Sequence, residues 1–263
     1  MIFLSKKGTD EYINLMAKGL NAKPTSTEEF DYSENLDPIV LRGILKKRIM
    51  RKCRQDGRDF YYVDTGYFGN EKGPSNPSGW KYWHRIVKNE LQHGEIIDRP
   101  DDRFKMFDKK IQPFNRTGRS ILIAMPDDKP MKHYDVDKKE WLEQTINKIK
   151  QHTDRPIIVR DRAKLRIHRI NSTLEEALND NIFALVTFNS IAATESIFFG
   201  IPAFTLAPCN AASPVSSQDL SQINTPYYPD LDKVYKWACH LAYGQYHYNE
   251  LKDGSWWRKI NES

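Results

Sequence analysis

Between Ser120 and Leu206, short apolar runs and amphipathic stretches take turns along the chain. Ser120–Ala124, Pro156–Arg160, Ile182–Thr187 and Ala203–Leu206 are rich in branched and aromatic residues and have the length of buried strands. Lys138–His152 repeats its apolar residues at helical spacing, and Thr173–Asn179 is a helix opened by Ser172 or Thr173. Ile191–Phe199 is a helix closed by Gly200, a residue suited to the left-handed backbone that a helix C-terminus often needs. Strands alternating with helices imply an α/β fold with a parallel, doubly wound sheet. Ligands of such sheets sit at the carboxyl ends of the strands.

The first half repeats the theme. Residues 39–45 and 59–63 read as strands flanking a helical stretch between them, a βαβ unit. A loop rich in Gly, Pro, Ser and Asn runs from Gly69 to Gly79, and the aromatic segment Trp80–Val87 follows. The polar stretch 97–118 has the composition of an interdomain linker. The 263 residues are long enough for two compact halves, so the expectation is two Rossmann-like domains around a central cleft, 1–110 and 119–263. Leu231–Tyr248 reads as one long terminal helix that packs back on the first domain.

Charge and cysteine usage set the broad class. The three cysteines, Cys53, Cys209 and Cys239, match no metal or redox spacing and point to a reducing, cytoplasmic setting. The start, Met1–Lys7, is too short for a signal sequence, and no apolar run reaches membrane-spanning length. Net charge is +5, concentrated between Arg42 and Arg58, where Asp56 is the one acid. Lys46, Lys47, Arg48 and Arg51 are the candidate polyanion contacts there; the alternative is the solvated face of an amphipathic helix packed through Ile44, Leu45, Ile49 and Met50.

The segment Phe183–Pro202 carries the most chemical information. A strand ending at Thr187 leads into a turn that sets Asn189 and Ser190 at a helix N-terminus, where unpaired amides and the helix dipole favour an anion. Ala192 and Ala193 allow close approach, and Glu195 lies one turn on, placed to accept from sugar hydroxyls. Ser190 as a plain helix cap is the competing reading. The pattern Ser-x4-Glu-x4-Gly-x-Pro resembles the donor-domain signature of GT-B glycosyltransferases, notably the capsule and lipopolysaccharide Kdo and sialyl transferases. The resemblance implies a nucleotide-sugar donor, with Arg160 and Lys164 as diphosphate partners ahead of Arg162. Thr194 and Gly66 complete the candidate donor set. No Asp-x-Asp pair follows a strand as a metal-dependent enzyme would need, since Asp127-Asp128 sits in a proline-flanked turn, so no metal site and no obligatory cofactor is expected.

Phe60–Gly69 runs as a strand into a glycine turn and brings Asp64 to a carboxyl end. The run is similar to the acidic element of the Kdo transferases, although Val63 and Thr65 depart from its pattern, and this makes Asp64 the candidate catalytic carboxylate; Asp is also a common turn residue before Gly. His84 and Arg85 join it as candidates, with His93 behind them. Trp80 and Trp83, interleaved with cations, suit a base or a sugar face, as well as a core. The chain also looks like a minimal relative of phage enzymes that glycosylate 5-hydroxymethylcytosine. That likeness implies a uridine-diphosphate sugar as donor substrate, double-stranded DNA as partner and acceptor, and the cytoplasm of an infected bacterium. A surface-polysaccharide or lipopolysaccharide transferase fits the donor motif equally well. Residues 207–230 read either as a loop closing over the donor or as a plain surface loop.

Overall fold

The computed structural model describes residues 1–44, 47–72, 76–161 and 172–262. The chain divides into two compact units, residues 1–93 with 241–263, and residues 94–240.

The first unit is built on a six-stranded sheet. Its strands are β1 (Ile2–Ser5), β2 (Thr25–Ser26), β3 (Ile39–Arg42), β4 (Phe60–Thr65), β5 (Trp83–Lys88) and β10 (Gln245–His247), in the order β10-β5-β4-β3-β1-β2. β1 through β4 run parallel, whereas β5 is antiparallel to both β4 and β10. The sheet is therefore mixed, not purely doubly wound. The physical reason is the connection: a parallel neighbour requires a long crossover, usually helical, and among the described residues between β4 and β5 there is no helix.

Helix α1 (Glu11–Gly19) starts at Asp10, whose side chain accepts from the Ile13 amide at 3.1 Å. Helix α2 (Lys47–Asp56) is the crossover between β3 and β4, as the βαβ expectation had it. It buries Met50 and Cys53 and turns Arg48 outward. One face of the sheet packs Phe3, Val40, Tyr61, Val63 and Ile86 against Tyr12, Ile13 and Met16 of α1, and against Tyr246, Leu251 and Trp256 from the end of the chain.

The second unit holds four parallel strands in the order β7-β6-β8-β9: β6 (Ser120–Ala124), β7 (Ile157–Arg160), β8 (Ile182–Thr187) and β9 (Ala203–Thr205). These are the four expected strands to within a residue. The polar stretch 97–118 lies within this unit and contains a short helix, α3 (Asp102–Lys105), whose Phe104 is buried against Phe198 and Tyr235. α4 (Asp128–His133) and α5 (Lys138–Lys150) connect β6 to β7. α6 (Leu174–Leu178) opens on a capping box between Thr173 and Glu176, and α7 (Ala192–Phe198) joins β8 to β9. The core consists of Ile121, Ile123, Phe183, Val186, Phe188 and Phe204 with Met131 and Trp141. The glycine after α7, Gly200, has φ +69°, and a Cβ there would lie 2.2 Å from the Pro113 carbonyl oxygen.

Two expectations need correction. The long terminal helix stops early: α8 (Leu231–Tyr243) ends before Gly244, and β10, α9 (Tyr248–Asp253) and α10 (Ser255–Glu262) follow. Gln245 is fully buried, accepts from the Tyr67 amide at 2.8 Å and donates to the Phe68 carbonyl, so side-chain bonds to the 67–68 turn and ladder bonds to β5 displace another helical turn. Nor is all of 207–230, read as a closing loop or a surface loop, at the surface: its first part, 207–217, is packed into the unit. Asn210, Ala211, Ala212 and Val215 are fully buried, the Trp237 indole donates to the Ala211 carbonyl at 2.6 Å, and Ser217 bonds back to the end of β9.

Candidate functional site

In the second unit β6 is flanked by β7 on one side and β8 on the other, so successive crossovers leave in opposite directions. That makes the carboxyl ends of β6 and β8 the topological switch point, where open α/β sheets form a crevice. Thr187, the last residue of β8, ties the two ends together by donating its hydroxyl to the Ala124 carbonyl at 2.7 Å. Asn189 follows, almost fully buried. Ser190 precedes the N-cap residue Ile191; its Oγ accepts from the Ala192 amide at 3.2 Å, and its carbonyl accepts from Asn210 Nδ2 at 3.3 Å.

Glu195 is half-buried in the first turn of α7, whereas Thr194 is fully buried, its hydroxyl without a hydrogen-bond partner among the described residues. Arg160 ends β7; its side chain donates to the Ser172 carbonyl at 2.9 Å. Lys164 and Arg162 lie outside the described residues, as does Lys46. Two groups escaped the reading of the sequence. Lys138, at the start of α5, stands 3.4 Å from both Asp128 and Asp161, which follow β6 and β7. Asn210 was hidden in what read as a loop. Lys138 had a signal, its place directly after the helix-capping Asp137; Asn210 had none, because its burial depends on Trp237 and Ser190.

In the first unit Asp64 and Arg85 are direct partners across β4 and β5. Arg85 donates to Asp64 Oδ2 at 3.1 Å, to the Leu91 carbonyl at 3.2 Å and to the Thr65 carbonyl. The Tyr62 hydroxyl donates to the same carboxylate oxygen at 2.8 Å, and the Thr65 amide to Oδ1 at 2.8 Å. Burial pushes the Asp64 carboxyl up, but the Arg85 guanidinium, the Tyr62 hydroxyl and the Thr65 amide outweigh it and hold it below the ordinary carboxylate range. Burial disfavours the charge on Arg85 while Asp64 favours it, and the net effect is upward. The pair is fixed and ionised, with the Asp64 side chain still 36% exposed and Arg85 only 8%. Such a carboxylate accepts a hydrogen bond well and takes a proton reluctantly.

His84 is not part of that arrangement. Neighbouring strand residues face opposite sides of a sheet, and His84 points to the α1 face, fully buried, its ring 3.9 Å from that of Tyr12. Burial, with Arg42 nearby, pushes its pKa down to about 3. Gly66 is buried as well: a Cβ would meet Gln245 Oε1 at 2.9 Å and the Trp83 carbonyl at 3.1 Å, so the glycine serves the packing of β5 and β10. His93 bonds to Tyr67 at 2.9 Å. Trp80 is 40% exposed and Trp83 half-buried, its ring edge-on to His247.

Much of the basic stretch has internal employment. Arg58 is buried and donates to the carbonyls of Tyr32, Asn35 and Asp37. Arg54 pairs with Glu90, Lys52 with Asp56, and Arg42 with Asp10. Arg48 is exposed and Arg51 half-buried on α2, which Lys47 opens. Among the described residues no group of three or more His, Cys, Asp or Glu side chains is placed to hold a metal ion, and no helix is long and apolar enough to cross a membrane.

No family model and no curated relative matches the chain. A solved structure from Thermosulfurimonas dismutans, described as KpsC, a beta Kdo 2,4 transferase, is similar with a TM-score of 0.47 and 11% identity, over 91% of this chain and 98% of that one. At that degree of likeness the chemistry has to be read from the site itself.

Proposed function

We propose that the protein is a glycosyltransferase that uses a nucleoside-diphosphate sugar, with uridine-diphosphate sugars the first donors to test. The observation that carries this reading is the switch point of the second sheet, which gathers Asn189, Ser190 and Glu195 at the carboxyl end of β8. In this reading the turn before α7 and the cations Arg160 and Lys138 face the diphosphate, and Glu195 accepts from sugar or ribose hydroxyls. Asp64 acts on the acceptor. Held ionised by Arg85 and Tyr62, it accepts a hydrogen bond from the incoming hydroxyl as that oxygen bonds to the anomeric carbon; the sugar–diphosphate bond breaks, the diphosphate leaves with the bonding pair, and the hydroxyl proton passes to water.

A saccharide of surface-polysaccharide or lipopolysaccharide type is the preferred acceptor. Exposed Trp80 and Tyr82 offer rings for a sugar face, and within the basic stretch Arg42, Lys52, Arg54 and Arg58 already have internal partners. The second reading, transfer to 5-hydroxymethylcytosine in duplex DNA, is favoured by the outward Arg48 of α2.

The test is donor turnover with a panel of nucleotide sugars, offered oligosaccharides in one arm and hydroxymethylated duplex DNA in the other, with products read by mass spectrometry. Ser190→Ala and Glu195→Ala are expected to weaken donor binding; Asp64→Ala is expected to keep it and lose transfer. Unchanged donor affinity in both of the first two variants removes the donor assignment. Transfer only to the modified base replaces the glycan acceptor by DNA.

A further inference from the structure

The α1 face of the first sheet carries polar groups that the proposed reaction does not use. Arg42 ends β3 and, by strand alternation, shares this face with Val40 and His84. Its guanidinium lies over the Tyr12 ring, the central carbon 4.5 Å from the centroid. A cation–π contact consumes none of the guanidinium's N–H donors, which stay available for another partner.

Those donors are underused. The buried Nε–H has no hydrogen-bond partner among the described residues. The ion pair to Asp10 Oδ2 is 3.5 Å long, too long for a strong hydrogen bond, while Asp10 Oδ1 is committed to capping α1. His84, against the same Tyr12 ring, is fully buried, and neither ring nitrogen has a hydrogen-bond partner among the described residues. A buried polar group without a partner is costly and needs a reason. Here two such groups flank one tyrosine at the carboxyl ends of parallel strands, the end at which α/β sheets bind ligands.

We propose that Arg42 and His84 form a binding site for an oxyanion, a phosphate or carboxylate group, in which Arg42 offers its Nε–H edge and His84 donates one ring N–H. Asp10 is the internal competitor for Arg42. This site lies on the face opposite Asp64 and does not depend on the donor assignment.

The test uses the full chain labelled with nitrogen-15 in arginine and histidine side chains, titrated with sodium phosphate and, separately, sodium acetate. Saturable shifts of the Arg42 Nε–H and His84 ring signals, with a dissociation constant of about 1–10 mM, are expected for at least one ion, and the tighter ion names the group. Arg42→Gln should weaken binding at least tenfold. Asp10→Asn keeps the cap, since Asn caps as well as Asp, and should tighten binding about threefold by removing the competing charge. His84→Phe should weaken binding without lowering the melting temperature, which keeps the test open if Arg42→Gln does not fold. Absence of a saturable shift at Arg42, or equal affinity in wild type and His84→Phe, overturns the proposal.

Discussion

Replacing Arg85 by Met removes the cation that holds Asp64 and the donor for two backbone carbonyls, those of Thr65 and Leu91. Each carbonyl left without its donor costs about 1 kcal/mol. Breaking a fully buried ion pair costs about 3–5 kcal/mol, but the Asp64 side chain is 36% exposed and water takes over part of the role of Arg85, so about 1–2 kcal/mol is the appropriate share. The expected loss is therefore roughly 3–4 kcal/mol, measured by urea unfolding followed by circular dichroism. Asp64→Asn on its own should cost less, and the double variant should fall short of additivity by about 1–2 kcal/mol. The pH dependence gives a second handle. The folded Asp64 carboxyl lies below its unfolded value, so its contribution is fully present above the unfolded pKa of about 3.9 and is lost as the pH falls through the folded value. Asp64→Asn should flatten that acid limb. A cost below about 1 kcal/mol for Arg85→Met, or strict additivity with Asp64→Asn, would refute the view that the pair is a coupled, ionised unit.

His84 titrates in the opposite setting, with a folded pKa of about 3 against an ordinary 6.5. The unfolded chain protonates first, so wild type loses stability as the pH falls from 6.5 toward 3, and His84→Phe should lose less over that window in melting temperatures taken at stepped pH. Gly200→Ala should cost more than about 2 kcal/mol or give insoluble protein, because alanine is disfavoured at φ +69° and its methyl would strike the Pro113 carbonyl; normal urea stability would contradict the packing. Trp237→Phe deletes the bond to the Ala211 carbonyl and should cost about 1–2 kcal/mol, with faster amide exchange across 207–217 as the specific sign.

The second sheet was legible because its central strands β6 and β8 are buried on both faces and so read as unbroken apolar runs, Ser120–Ala124 and Ile182–Thr187 being found to the residue. The first sheet was less so. Ile2–Ser5 was considered only as a failed signal sequence, although Asp10, an acidic cap three residues before Ile13, marked the start of α1. β10 carries no local signal: Gln245-Tyr246-His247 continues a helical pattern, and its strand state comes from pairing with β5 and from the bonds of Gln245 to the 67–68 turn. The antiparallel direction of β5 was available in principle, since Gly69–Gly79 has the composition of a turn rather than of a crossover. At the site, Asp64 was placed correctly at its strand end, while Arg85 was named with His84 only as a further candidate; the antiparallel register of β4 and β5 brings Arg85 to Asp64, and parity along β5 takes His84 to the other face.

That parity has a consequence for how the first unit works. Asp64, Tyr62 and Arg85 occupy one face of the sheet, and Arg42, Tyr12 and His84 the other. The first group is saturated by its own hydrogen bonds and ion pair, an arrangement that fixes a carboxylate in place and keeps its basicity low. The second has donors to spare and a cation over an aromatic ring, an arrangement that binds rather than reacts. Substitutions on the two faces should therefore separate: loss of Asp64 or Arg85 should act on turnover at unchanged oxyanion affinity, and loss of Arg42 or His84 should act on oxyanion affinity. A single phenotype shared by Asp64→Asn and His84→Phe would mean that the strands transmit between faces, and the division of labour assigned here would fail.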